Sequence, residues 1–284
     1  MGEERRIWLI NNEASGSNDA AALRECEDLC EERGLRIVQR TVFPQAELPT
    51  PAMLDAADIE IVALYAGDGT INAALRMLTD WQGQVLVLPG GTKNLLFHRL
   101  FADLTLEEAI ASVADGSAVP LRPAVIQSPC GIAYAGLLAG PGTAWSEVRE
   151  AMRDNSPLET VGESTAAFAE TLYGDRLRCE EPAFGARDGY PLILLTPEGD
   201  AIAADAYHAE DAGEFLKQFL AVVRREFREG PHERIGEGDR FVLGNVEGGT
   251  FGLLLDGEPC DAEGPTEFTL ARSAVDLLAT RTDG

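Results

Sequence analysis

The hydrophobic pattern of the first 117 residues alternates between strand and helix. Short apolar runs typical of buried strands are separated by stretches with apolar residues at helical spacing. The predicted strands are Arg6–Asn11, Leu35–Phe43, Ile59–Ala66 and Gln84–Leu88. The predicted helices are Asp19–Arg33, Met53–Ala57, Ile71–Thr79, one opening at Leu95, and Leu104–Ala114 with Thr105 as N-cap. This alternation predicts an α/β domain with a parallel sheet.

The pattern changes after Gly116, where strands and turns dominate. Strands are predicted at Ala118–Gln127, Gly131–Ala139, Arg176–Ala183, Tyr190–Thr196 and Ala201–His208, with further short ones from Asp239 onward. Helices are predicted at Pro141–Arg153, Leu158–Leu172 and Glu210–Arg228. We therefore expect a mainly antiparallel, sandwich-like β domain with a few helices. The predicted domains are residues 1–117 and 118–284.

Three loops of small and polar residues follow the first, third and fourth predicted strands: Asn12–Asn18, Gly67–Thr70 and Gly90–Asn94. In a parallel sheet with right-handed crossovers, such loops emerge at one edge, where open α/β sheets bind ligands. Their backbone N–H groups, hydroxyls and amides suit a nucleotide triphosphate. The candidate binding residues are Asn12, Ser15, Gly16, Gly67, Asp68, Gly69, Thr70, Gly91, Thr92 and Asn94.

Two acidic positions are candidates for chemistry. Asp68 lies between two glycines, and a carboxylate beside a polyphosphate requires Mg²⁺ between them. Asp256 follows an apolar strand in an Asp-Gly-Glu sequence and would provide a general base that faces the nucleotide-binding edge. The alternatives are structural: a turn at Gly67–Thr70 with Thr70 as helix N-cap, an aspartate bonded to its own backbone, and an Asp-Gly hairpin.

Net charge narrows the possible partners. The chain of 284 residues carries a formal charge of −25, which argues against non-specific nucleic-acid binding and against adhesion of the whole surface to anionic membrane. It has no apolar run near the length of a transmembrane helix, and the acidic first residues are unlike a secretory signal, so a cytoplasmic protein is expected. Two arginine clusters could contact a membrane locally, although a solvated face is the favoured interpretation: Arg224, Arg225 and Arg228, and Arg176 and Arg178.

The cysteines show no metal-binding or disulfide pattern. There are five, at positions 26, 30, 130, 179 and 260, without C-x-x-C spacing. We expect packed free thiols in a reducing compartment.

Four motifs, in order along the chain, resemble those of the diacylglycerol kinase and sphingosine kinase superfamily. Gly67–Thr70 resembles its GGDGT motif, and Asn12–Gly16 resembles its NPxSG loop. Pro89–Asn94 resembles the PxGTxN loop, and Leu255–Glu258 resembles the carboxyl-terminal LDGE. The resemblance spans nearly the whole chain. Three positions depart from these motifs: Glu13 replaces proline, Ala66 the first glycine, and Leu95 an aspartate that often follows the third loop.

The resemblance implies ATP-dependent phosphorylation of a lipid hydroxyl, with diacylglycerol, ceramide or a sphingoid base as acceptor. Asp68 and its neighbouring loop residues would bind ATP and Mg²⁺. Asp256 would be the base, and Glu258 would contact nucleotide or metal. The lipid would enter between the domains or into the β domain, from the inner surface of the membrane. The alternatives are an NAD kinase, which shares GGDGT, and a non-catalytic lipid- or nucleotide-binding protein on the same scaffold.

Overall fold

The structure, a computed structural model, describes residues 4–12, 20–140, 176–207 and 233–280. Several predicted features lie outside these residues. They are Ser15, Gly16, Glu13, the three helices predicted at Pro141–Arg153, Leu158–Leu172 and Glu210–Arg228, and the Arg224, Arg225 and Arg228 cluster.

The chain divides into two compact units, Met1–Pro123 with Arg272–Gly284, and Ala124–Ala271. The sequence prediction differs in two respects. It places the division between residues 117 and 118, and it assigns everything after residue 117 to the second domain. The difference arises because the chain returns to the first unit after Ala271 and adds a strand there.

The first unit is an α/β fold around one sheet. Numbered along the chain, its strands are β1 (Arg5–Asn11), β2 (Leu35–Val42), β3 (Ile61–Ala66), β4 (Gln84–Pro89), β5 (Val119–Leu121) and β17 (Asp276–Ala279). Its helices are α1 (Ala20–Glu32), α2 (Pro51–Ala56), α3 (Asp68–Met77), α4 (Leu95–Phe101) and α5 (Leu106–Ala114). The described strands are ordered β2-β1-β3-β4-β17-β5 and are parallel except for β5.

Local sequence explains two of these elements. All six residues of β3 are buried, as expected for a central parallel strand covered on both faces. Helix α5 begins with a capping box, as its sequence predicts: the Thr105 hydroxyl accepts the Glu108 N–H, and the Glu108 carboxylate accepts the Thr105 N–H.

Helix α3 begins three residues earlier than predicted, at Asp68 rather than Ile71. Gly67 is the N-cap, with an extended backbone, and its carbonyl accepts the N–H groups of Thr70 and Ile71. The alternative interpretation, in which Thr70 is the N-cap, is therefore wrong. Asp68, Gly69 and Thr70 instead form the first helical turn, where the aspartate faces the positive end of the helix dipole.

The second unit is a β-sandwich within the residues that the structure describes. Its strands are β6 (Ala124–Ser128), β7 (Gly131–Ala133), β8 (Leu137–Gly140), β9 (Leu177–Glu181), β10 (Leu192–Glu198), β11 (Ala201–Tyr207), β12 (Glu233–Gly238), β13 (Arg240–Asn245), β14 (Thr250–Leu255), β15 (Glu258–Glu263) and β16 (Thr266–Arg272). One sheet has the order β12-β11-β10-β8-β14-β15 and the other β7-β6-β16-β13-β9. Both sheets contribute to one apolar core, which contains Leu195 and Leu253 from the first and Phe241 and Phe268 from the second. The predicted fold class is confirmed.

The cysteine prediction needs correction at two positions. Cys130 and Cys260 form a disulfide, with their Cα atoms 6.4 Å apart. The sequence does not predict this disulfide, because the two cysteines are 130 residues apart and no spacing rule pairs them. Cys26, Cys30 and Cys179 are buried free thiols, as expected. None of the helices in the described ranges is long and apolar enough to cross a bilayer.

Candidate active site

The carboxyl ends of β1, β3 and β4 lie at one edge of the first sheet. Asn11 at the end of β1 pairs in register with Tyr65, and Ala66 at the end of β3 pairs with Pro89 at the end of β4. Because these strands are adjacent and parallel, their carboxyl ends lie side by side at this edge of the sheet. The candidate loops therefore start side by side, as the strand-helix alternation predicts.

Direct contacts join the loops to one another. Asn12 Nδ2 donates a hydrogen bond to Thr70 Oγ1 over 2.9 Å, which links the end of β1 to the first turn of α3. The loop after β4 packs directly on Gly67, because a Cβ atom added at Gly91 would lie 2.5 Å from the Gly67 Cα atom. Leu96 N–H lies 3.4 Å from Asp68 Oδ1, which connects α4 to the aspartate. The structure thus brings the three described loop segments together.

Asn94 shapes its own loop. It is the N-cap of α4 in the left-handed region, with φ of 54°. Its Oδ1 accepts the Gly91 N–H over 2.7 Å, and its Nδ2 donates to the Gly91 carbonyl over 2.9 Å. Both ends of the amide thus engage the residue that packs on Gly67. This contact explains an asparagine here on structural grounds, independently of the predicted contact with a nucleotide.

The other predicted residues of the first unit that the structure describes lie in the same region. Gly69 is in the first turn of α3, and Thr92 is exposed in the loop between β4 and α4. Asp68 is 9% exposed, on the first turn of α3. Backbone N–H groups of a first helical turn point away from the helix along its axis and favour an anion. The donor set therefore fits a polyphosphate.

Asp68 fits Mg²⁺ only as a shared ligand. No group of three or more His, Cys, Asp or Glu side chains in the described part of the chain could hold a metal ion by itself. Kinase Mg²⁺ is commonly held by one or two carboxylates together with substrate phosphates and water. One carboxylate beside a phosphate-binding edge satisfies that arrangement.

Asn11 is a buried polar residue that the sequence prediction missed. Its side-chain Nδ2 has no hydrogen-bond partner in the described chain, and the residue is 1% exposed. A buried donor without a partner costs roughly 1–3 kcal/mol. The signal available in the sequence is a polar residue that ends an apolar strand directly before a candidate loop.

In the second unit, Asp256 and Gly257 form the turn between β14 and β15. Leu255 pairs with Glu258, which leaves a two-residue loop, and both turn residues have positive φ, at 47° and 91°. This is the hairpin that an Asp-Gly pair favours. Glu258 begins β15 and is exposed.

The Asp256 carboxylate is buried and accepts three backbone hydrogen bonds. Tyr134 N–H donates to Oδ2 over 2.7 Å, and the N–H groups of Ala135 and Gly136 donate to Oδ1 over 2.7 and 3.0 Å. The backbone N–H of Asp256 in turn donates to the Gly136 carbonyl over 3.0 Å. We call residues 134–136 with Asp256 the Asp256 cradle. The aspartate therefore ties the hairpin to the segment between β7 and β8.

The described arginine cluster has contacts within its own unit. Arg176 donates to the Gly189 carbonyl over 3.2 Å, and Arg178 forms an ion pair with Glu180 at 3.0 Å. Both arginines therefore have partners within the second unit.

Comparison with known proteins finds a similarity for the first unit. Residues 6–126 match the family model of the diacylglycerol kinase catalytic domain. This part of the chain is therefore similar to a diacylglycerol kinase catalytic domain. The match supports the resemblance to the diacylglycerol kinase and sphingosine kinase superfamily, which is a lipid kinase family. No curated protein sequence matches the chain.

Solved structures share the whole fold with this chain. A diacylglycerol kinase from Bacillus anthracis str. Sterne has a TM-score of 0.61 and 11% identity over 97% of each chain. Another chain from that organism, provisionally named a diacylglycerol kinase, has a TM-score of 0.62 and 12% identity over 98% of this chain and 96% of that one. At such low identity the likeness shows the fold alone.

Proposed function

We propose that this protein is an ATP-dependent lipid kinase that transfers the γ-phosphoryl group to a lipid hydroxyl. The observation that carries the proposal is the meeting of three loops at one edge of the catalytic domain, through the Asn12–Thr70, Gly91–Gly67 and Asp68–Leu96 contacts. The family match supports the same reaction class. The acceptors proposed are diacylglycerol, ceramide or a sphingoid base.

In this proposal the catalytic-domain loops bind the nucleotide. The first turn of α3 and the loop after β4 present N–H groups to the phosphates. Asn12 and Thr70 would orient the phosphates with side-chain hydrogen bonds. Mg²⁺, when bound, neutralises charge on the phosphate oxygens. Asp68 would hold that ion from the protein side. Asn11 Nδ2 would donate to a nucleotide oxygen, which would remove the cost of a buried donor without a partner.

The proposal assigns proton removal from the lipid hydroxyl to Asp256, with Glu258 as a further contact to nucleotide or metal. A carboxylate offers about four acceptor positions, and the cradle N–H groups occupy three of them. The cradle would therefore fix the carboxylate in one orientation. A positioned general base contributes about 10²–10⁴-fold to the rate.

The test is transfer of labelled γ-phosphate from ATP with Mg²⁺ to a panel of diacylglycerol, ceramide and sphingosine in mixed micelles. Wild type should give one labelled lipid. Asp68→Asn should lose ATP affinity and activity together. Asp256→Asn should retain ATP binding and lose about 10²-fold or more in kcat. Asp261→Asn, an exposed aspartate on the same hairpin, is the matched control and should behave as wild type.

Asp256→Asn also removes one acceptor oxygen from the cradle, so its fold must be checked by circular dichroism and cooperative unfolding. A folded Asp256→Asn variant with full activity would place the base elsewhere and leave the kinase proposal standing. A folded wild type that binds ATP but labels no lipid would contradict the lipid kinase proposal. A phosphorylated dinucleotide formed from NAD in the same assay would identify the alternative NAD kinase activity.

A further inference from the structure

The disulfide and the Asp256 cradle connect the same two segments of the second unit. Cys130 lies directly before β7, four residues ahead of Tyr134, and Cys260 lies on β15, four residues after Asp256. The cradle joins these segments by four hydrogen bonds, three to the carboxylate and one from the Asp256 N–H to Gly136. The disulfide joins them a second time, covalently.

Both connections lie at edge strands of the two described sheets of the sandwich. Strand β7 is at the edge of one sheet, and β15 is at the edge of the other. The chain passes from β7 to β8, and so from one sheet to the other, through residues 134–136. An edge strand pairs on one side only and separates more easily than a central strand. A covalent link from the residue before β7 to β15 therefore restrains the segment that supplies the cradle N–H groups.

The other cysteines are in environments that keep them out of this chemistry. Cys26, Cys30 and Cys179 are buried, whereas Cys130 and Cys260 are half-buried and accessible to small reagents. Burial raises the pKa of the Cys179 thiol, and the adjacent Cys30 together with burial raises the pKa of the Cys26 thiol. Since the thiolate is the reactive form, the Cys26 and Cys179 thiols exchange slowly with small disulfides. Cys30 is shielded from such reagents by its burial.

We propose that Cys130 and Cys260 are a redox-responsive link whose oxidation fixes the Asp256 cradle and whose reduction loosens it. In the oxidising direction the two thiols react with one molecule of a low-molecular-weight disulfide. One sulfur–sulfur bond forms in the protein and one breaks in the reagent. Two electrons pass to the reagent, which leaves as two thiols carrying the two protons. A dithiol reductant reverses the step. This proposal does not depend on the kinase activity.

The first measurement counts free thiols in the full chain. The protein is incubated with oxidised glutathione or with a dithiol reductant, unfolded, alkylated and weighed by intact mass. The chain has five cysteines, so three labels are expected after oxidation and five after reduction. Five labels after both treatments would overturn the proposal. The double variant Cys130→Ser, Cys260→Ser should carry three labels under either condition.

The second measurement follows hydrogen exchange of the peptide that contains Tyr134, Ala135 and Gly136. Reduction should speed exchange of these amides by about tenfold or more, because they are bonded to a segment that is no longer tethered. The double serine variant should match the reduced wild type and should not respond to reductant. Equal exchange in the oxidised and reduced wild type would show that the link and the cradle are independent, and would overturn the proposal.

Discussion

Gly91 lies against the backbone of Gly67 at the start of α3, which explains why it cannot carry a side chain. A Cβ atom there would lie 2.5 Å from Gly67 Cα and 3.2 Å from Asn94 Oδ1. The first of these neighbours is backbone and cannot move without displacing the N-cap of α3. The conformational freedom of glycine is not needed at this position, but its lack of a side chain is.

We predict that Gly91→Ala separates the loop after β4 from α3 and weakens ATP binding by about tenfold or more. The physical reason is displacement of backbone donors, and misplacing binding groups by about 1 Å is costly. Isothermal titration with ATP and Mg²⁺ measures the effect. Gly238→Ala is the matched control, because a Cβ there meets its nearest atoms at 3.9 Å. Unchanged ATP affinity in Gly91→Ala would show that this contact does not shape the site.

Residue types could be predicted from the sequence more readily than their contacts. The glycines and Asp68 were expected at the strand ends, because tight strand-to-helix turns require small residues there. The sequence does not predict three contacts: those of Asn94 with Gly91, the capping of α3 by Gly67, and the three hydrogen bonds to Asp256. Each depends on the position of a neighbouring backbone group, and for Asp256 the donors lie 120 residues or more earlier in the chain.

At the scale of elements, β17 is the part of the first sheet that the sequence prediction missed. It lies between β4 and β5, and its Leu277 pairs in register with Val85 on one side and Leu121 on the other. Local hydrophobicity identifies such a segment as a strand but does not say which sheet it joins. The parallel arrangement of β1 to β4 can be predicted, because the alternation of strands and helices constrains each connection.

We predict that Leu277→Ala destabilises the first unit by about 2–5 kcal/mol, because it removes a fully buried side chain from an interior strand. Thermal and denaturant unfolding followed by circular dichroism measure the loss. Asp276→Asn in the same strand is the control. It breaks only the surface ion pair with Arg122, which is worth about 0–1 kcal/mol. A Leu277→Ala variant as stable as this control would contradict the placement of β17 in the sheet.

At the scale of the whole molecule, the dominant feature is the excess of acidic residues. The chain has 48 aspartates and glutamates against 23 lysines and arginines, giving a net charge of −25. Mutual repulsion among these charges opposes the compact state. Salt screens this repulsion, but it also screens favourable surface pairs such as Arg240 with Glu181 and Glu267. Exposed pairs contribute about 0–1 kcal/mol each, so we expect screening of the unbalanced charge to have the larger effect.

We therefore predict that the thermal midpoint rises by about 5 °C or more between 0.1 and 1 M potassium chloride. Over that range the screening length falls from about 10 Å to about 3 Å, so repulsion between carboxylates that are further apart is largely screened. Scanning calorimetry at constant pH measures the shift. Sodium chloride should give the same shift, since the mechanism is screening and not binding of a particular cation. A midpoint that stays constant or falls with chloride would mean that the surface ion pairs outweigh the repulsion of the excess carboxylates.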